Sequence, residues 1–207
     1  MARGIKITHK TSSVQKKTNK KVKKSNTLIS NTIPSDDCKE LEIIEESSQY
    51  WLIKSEPDDR IHNGVNVRFS IDDLERLNIS PWDGVRNYEA RNTIRDKMKM
   101  GDICLFYHSN CKVPGIAGIA TVCSESYHDP SAFDRAGAYY DPKSDSNKPI
   151  WFAIDVKFQR KLNRLIPLTE LKTYHTSELS KMFLLNRGRL SVQPVTKSEF
   201  EFIMSLE

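Results

Sequence analysis

His108 and Ser109 are adjacent, and their types serve elsewhere as base and nucleophile. Successive residues at a strand end face opposite sides, and no nucleophile elbow surrounds Ser109, so the adjacency carries no triad. The carboxylates Asp58, Asp59, Asp72 and Asp73 fall in a loop and at a helix start, where capping and solvation account for them. The histidines His9, His62, His108, His128 and His175 lack metal-ligand spacing. Cys38, Cys104, Cys111 and Cys123 form no C-x-x-C pair. Neither glycine-rich nucleotide signature occurs. The reading is no catalytic residue, no metal and no cofactor.

What remains is a set of polar and aromatic groups at strand ends and one helix start. Lys54 and Ser55 end the first apolar run, and Tyr107, His108 and Ser109 end a later one. Trp82-Asp83-Gly84-Val85-Arg86-Asn87 leads into a helix. A helix start offers free N–H groups to an anion, and Arg86 adds charge there. Trp82 is either a stacking face or a core aromatic. Arg86 and Asn87 are either ligand contacts or an ion pair and a helix cap.

The elements that would hold these groups are legible as patterns. YWLIK at 50–54 reads as a strand and SEPDDRIHNGVN as a loop. Ser70 with Asp73 forms a capping box that opens a helix with Ile71, Leu74 and Leu77 on its apolar side. A second helix spans about Asn87–Met98, with Ala90, Ile94 and Met98 facing the core. Ile103–His108 and Ile116–Cys123 are apolar on both faces, as central strands are. Ile150–Phe158 alternates, as a half-buried antiparallel strand does. A polar segment of about 25 residues precedes it, long enough to suggest function or disorder. Short helices at Thr169–Tyr174 and Glu178–Leu185, a strand at Arg189–Val195, and a final helix capped by Thr196 and Glu199 complete the chain. The order does not repeat βαβ. It predicts an α+β fold, a small mixed or antiparallel sheet or barrel with covering helices.

Charge is distributed unevenly over the 207 residues. Residues 1–35 carry +9, residues 36–49 carry −5, and residues 50–207 carry +1, for a net +5. A folded part so close to neutral cannot bind nucleic acid by bulk charge and needs a local basic patch. Residues 1–49 hold no Trp, Tyr or Phe and read as a disordered tail, basic to residue 35 and acidic beyond it. Within it, Lys16, Lys17, Lys20, Lys21, Lys23 and Lys24 form a cluster suited to an import receptor, and hence to a nuclear location. The alternative is a solvated solubility tail. No apolar run reaches the ~18 residues of a membrane span. Domain assignment is therefore 1–49 as tail and 50–207 as folded domain, read as a monomer without membrane contact.

The motifs of the second part are similar to those of the EVE domain. YWLIKSEP at 50–57, FSIDDL at 69–74, WDGVRNYEARN at 82–92 and FYHSN at 106–110 carry the resemblance. GIAGIA at 115–120, YDP at 140–142 and RLSVQPV at 189–195 extend it, in order, over 50–207. It implies a PUA-like fold, related to domains that read modified bases, and a pocket for a modified base in DNA or RNA. It implies Lys54, Ser55, Trp82, Arg86, Asn87, Tyr107, His108 and Ser109 for that pocket, with Asp129 at its rim. The family often has Gln where this chain has Glu89, and Pro where it has His128. On this reading Trp82 or Tyr107 stacks on an extruded base, Asn87 or Ser55 reads its edge, and Arg86, Arg91 and Arg95 meet phosphates. The alternatives are an enzyme using Lys54, Asp83 or His108 for proton transfer, and a protein-interaction module with a vestigial pocket.

Overall fold

The computed structural model describes residues 48–207. The lysine cluster Lys16–Lys24 and the rest of the sequence up to residue 47 lie outside them.

The first strand, β1 (Tyr50–Ser55), alternates as its pattern requires: Trp51 and Ile53 enter one apolar cluster and Leu52 another. The strand β5 (Ile103–His108) does the same, with Cys104 and Phe106 on one face and Leu105 and Tyr107 on the other. One sheet thus separates two cores, which is why these runs are apolar on both faces. β1 and β5 pair in parallel, from Tyr50 opposite Ile103 to Ser55 opposite His108. Parallel pairing brings their C-terminal ends, with Lys54, Ser55, Tyr107 and His108, to the same end of the sheet.

The remaining elements complete a mixed sheet. A small hairpin, β2 (Ile61–His62) and β3 (Val65–Asn66), stands apart from it. Then follow α1 (Ile71–Leu77), β4 (Ile79–Trp82) and α2 (Tyr88–Asp96), and, after β5, β6 (Gly115–Val122) and β7 (Tyr127–His128). The long β8 (Phe152–Pro167) leads to α3 (Leu168–Thr173), α4 (Phe183–Asn186), β9 (Val192–Val195) and α5 (Lys197–Ser205). The strand order is β4-β8-β6-β5-β1-β9, with β7 on β8, and all pairs except β1–β5 are antiparallel. Bulges between Ile116 and Gly118 and between Ile119 and Ala120 increase the coil of the sheet at β6–β8. Among the described residues no ladder joins β4 to β9, so the expected barrel is a strongly coiled, open sheet.

Both capping boxes form, at Ser70/Asp73 and Thr196/Glu199. Ala90, Ile94 and Met98 are buried as their spacing predicts. The helix expected at Glu178–Leu185 is confined to Phe183–Asn186, the residues before it forming turns, and four further elements differ from expectation. The 55–66 loop contains the hairpin, because Asn63 and Gly64 both adopt positive φ and make a two-residue turn of the type that matches strand twist. Ile79–Trp82 is an edge strand, where Pro81 is tolerated because an edge N–H can go unpaired. The alternating strand at 150–158 runs on to Pro167 through polar residues. The segment before it is ordered, through β7 and a 3-10 turn at Pro130–Ala132 capped by Asp129.

Candidate functional site

Coiling brings β4 round toward the end of β1, and a cleft of about 620 Å³ opens there. Lys54, Ser55 and Glu56 form one side. The β2–β3 hairpin and Val67–Phe69 form the next, and Ser80–Asn87, Ala138 and Tyr139 close the rest. The turn of the hairpin is tied across the mouth: Asn63 Nδ2 donates to the Ala138 carbonyl at 2.9 Å, and the rings of His62 and Tyr139 lie 5.7 Å apart.

Five of the expected residues line this cleft: Lys54, Ser55, Trp82, Arg86 and Asn87. For Trp82, Arg86 and Asn87 the contacts are those of the core aromatic, the ion pair and the helix cap that the sequence left open. Trp82 is 7% exposed and packs edge-on to Phe106 at 5.6 Å and to Phe69 at 6.2 Å. It is a core residue with a margin on the cleft, not a free stacking wall. Asn87 caps α2, its Oδ1 accepting from the N–H groups of Glu89 and Ala90. The helix start is therefore less open to an anion than the sequence suggested.

Arg86 is corrected from phosphate contact to brace. Its guanidinium donates to Asp129 Oδ2 at 2.6 Å, to the Tyr139 carbonyl through Nε and Nη2, to Ser131 Oγ and to the Val85 carbonyl. Those contacts use its five donors. Asp129 is fully buried, behind the cleft wall and not at its rim, and also accepts from the Gly84 N–H at 2.9 Å. Burial alone would raise its pKa. The hydrogen bonds from Arg86 and Ser131, the Arg86 charge and the Gly84 N–H outweigh burial and hold it below the usual value. Gly84 has a φ of +70°, and a Cβ there would meet the Tyr139 ring at 2.4 Å. The turn thus needs glycine for both conformation and space.

Tyr107, His108 and Ser109 do not line the cleft. Tyr107 belongs to the opposite core. His108 accepts the Ile71 N–H on Nε2 at 3.1 Å, and burial lowers its pKa, so it is a neutral ring holding the start of α1. Ser109 donates to the Ser55 carbonyl. Arg91 donates to the Ile150 carbonyl and lies over the rings of Tyr88 and Trp151, while Arg95 pairs with Asp96. Neither residue lines the cleft.

Glu56 and Arg68, which the sequence did not single out, complete the site with Ser55, Lys54 and Asp83. Glu56 accepts from Asn110 and pairs with Arg60, leaving Oε2 buried without a partner, as is Ser55 Oγ. Arg68 is half-exposed and only loosely paired, 3.9 Å from both Asp59 and Asp73. Lys54 donates to the Gly188 carbonyl at 2.6 Å, and burial lowers its pKa to about 8. Asp83 has a raised pKa, from burial and from the charge of Asp129. Among the described residues no cluster of His, Cys, Asp or Glu could hold a metal. The arrangement offers a half-open cleft with an apolar floor, unpaired acceptors and a cation at the rim.

The EVE-domain profile matches residues 49–206. The chain belongs to the EVE-domain family. Thymocyte nuclear protein 1 of Danio rerio is 52% identical over 165 residues, which cover 76% of this chain and 71% of that protein. The crystal structure of human thymocyte nuclear protein 1 in complex with DNA containing 5-methylcytosine is 48% identical. It superposes with a TM-score of 0.75, over 77% of this chain and 97% of that one. The crystal structure of a Pseudomonas syringae protein, 44% identical, superposes with a TM-score of 0.68 over 76% of this chain and 98% of that one. The mixed sheet with helices is shared with these EVE structures.

Proposed function

We propose that this EVE domain binds nucleic acid and holds a modified base, such as 5-methylcytosine, in the cleft between Ser55, Trp82 and Tyr139. The observation that carries the reading is the DNA complex of a relative 48% identical to this chain. The cleft is of the size that small-ligand sites have, with an apolar floor and few polar groups. Extruding a base costs a few kcal/mol, and contact with aromatic walls returns ~1–3 kcal/mol per base. Arg68, loosely paired at the rim, is suited to meet a phosphate.

The role is binding without turnover, as a monomer, in the nucleus. The name of the relatives and the Lys16–Lys24 cluster support the location. Fluorescence anisotropy with duplexes that differ in one methyl group tests the binding. Tighter binding to the methylated duplex is expected, and equal affinity overturns the reading. A reporter too large for passive entry, carrying the tail with its six clustered lysines changed to Ser, should stay outside the nucleus.

A second reading rests on Lys54 and Asp83, which line one cleft with pKa values moved toward neutrality. Proton transfer on a bound base is the chemistry they would serve. Mass spectrometry of an oligonucleotide recovered after prolonged incubation separates the two readings. An unchanged mass is expected for a binder, and a changed mass marks an enzyme.

A further inference from the structure

Asp83 is half-buried in the cleft wall, between Trp82 and Gly84. Among the described residues its carboxylate forms no ion pair, and its one hydrogen bond is to its own backbone N–H. The cations nearby are committed elsewhere: Arg86 to Asp129 and Tyr139, and Lys54 to the Gly188 carbonyl. Desolvating a carboxylate is costly, and here only its own N–H and the charge of the already committed Arg86 offset it in part. Ser55 and Glu56 also line the cleft, and behind its surface Glu56 Oε2 and Ser55 Oγ are buried without partners. An acceptor on the cleft wall with no ion pair of its own suits a ligand edge that donates.

We propose that Asp83 accepts the exocyclic amino group of a cytosine-type base and so distinguishes 5-methylcytosine from thymine. The two bases share the 5-methyl group. They differ at position 4, where cytosine carries an N–H donor and thymine a carbonyl acceptor. A carboxylate facing that position gains a charge-assisted hydrogen bond from the first and meets lone-pair repulsion from the second. This mechanism rests on the base-binding reading above and adds the feature of the base that is read. Asp83 is here a specificity residue: apolar contact with the 5-methyl group cannot separate these bases, and a buried polar mismatch can.

The test compares duplexes with 5-methylcytosine, cytosine or thymine at one position, each opposite guanine, against wild type and Asp83→Asn. The T·G mismatch opens more easily, so any preference for 5-methylcytosine over thymine is a lower limit. Wild type is expected to prefer 5-methylcytosine over thymine by about tenfold or more, and Asp83→Asn to bring the ratio within about twofold, since an amide can pair with either edge. A fourth duplex, with the 4-amino group of the target dimethylated so that no N–H remains, should lose its advantage over thymine with unaltered protein. That measurement stands even where the variant fails to fold. Wild type that does not distinguish methylated from unmethylated cytosine overturns the base-binding reading itself. Wild type that does, with a thymine ratio unmoved by Asp83→Asn and with the dimethylated base still bound, overturns the role of Asp83 alone.

Discussion

Replacing Asp129 by Ala should destabilise the domain strongly, although the residue lies behind the cleft wall. Its two oxygens take four hydrogen bonds: Oδ2 from the Gly84 N–H and Arg86, and Oδ1 from the N–H and hydroxyl of Ser131. Truncation leaves two backbone donors and a guanidinium without their acceptor. Breaking a buried ion pair from one side costs about 3–5 kcal/mol. The Arg86 side chain keeps 22% exposure, so the lower end of that range applies. A loss of about 3 kcal/mol in a domain of this size lowers Tm by about 6–12 °C. Asp129→Asn keeps an oxygen acceptor but not the charge, and should fall between the two. Burial opposes ionisation, but the hydrogen bonds from Arg86 and Ser131 hold the carboxyl below the ordinary aspartate value in the folded protein. Its stabilisation is therefore complete above that ordinary value and fades as pH falls through the lowered folded value. The gap between wild type and the Ala variant should close in acid and persist at neutral pH. Calorimetry or thermal circular dichroism at pH 7 and in acid measures both effects. A fall of less than about 2 °C at pH 7 would refute the brace.

Trp82→Ala should cost about 3–5 kcal/mol, as large core truncations do, with a clear drop in melting temperature. An unchanged melting curve would return Trp82 to the role of a free wall. Gly84→Ala should destabilise by about 1–3 kcal/mol from its positive φ alone and, by displacing Tyr139, should weaken ligand binding in titrations more than it lowers stability. DNA affinity at constant salt should decline as pH rises through about 8, where Lys54 loses its proton, and Lys54→Arg should flatten that decline. A wild-type profile as flat as the variant's would show that this charge does not reach the ligand.

Features set by residues a few positions apart were legible in the chain. The capping boxes at Ser70 and Thr196 involve side chains three residues from the backbone they bind. The face Ala90-Ile94-Met98 follows from helical period alone. Features set by distant partners were not. Whether Arg86 is a ligand contact or an ion pair stays open in the chain because Asp129 and Tyr139 lie 43 and 53 residues on. The parallel pairing of β1 with β5 leaves no local trace. The hairpin was signalled by Asn63-Gly64, but two-residue strands are too short to show alternation. Asp83 was weighed only as a proton carrier. Its lack of a partner is a property of the folded surroundings.

The single sheet between two cores has a consequence for how the domain moves. Trp51 and Ile53 anchor the cleft side while Leu52, between them, anchors the far side, and β5 repeats the arrangement. A slip of either strand by one residue exchanges both sets at once, so neither side can loosen alone. The two halves form one cooperative unit whose amides open together. A ligand in the cleft should accordingly slow hydrogen exchange in α5, which contributes no residue to the cleft lining and packs through Ile203 into the far core.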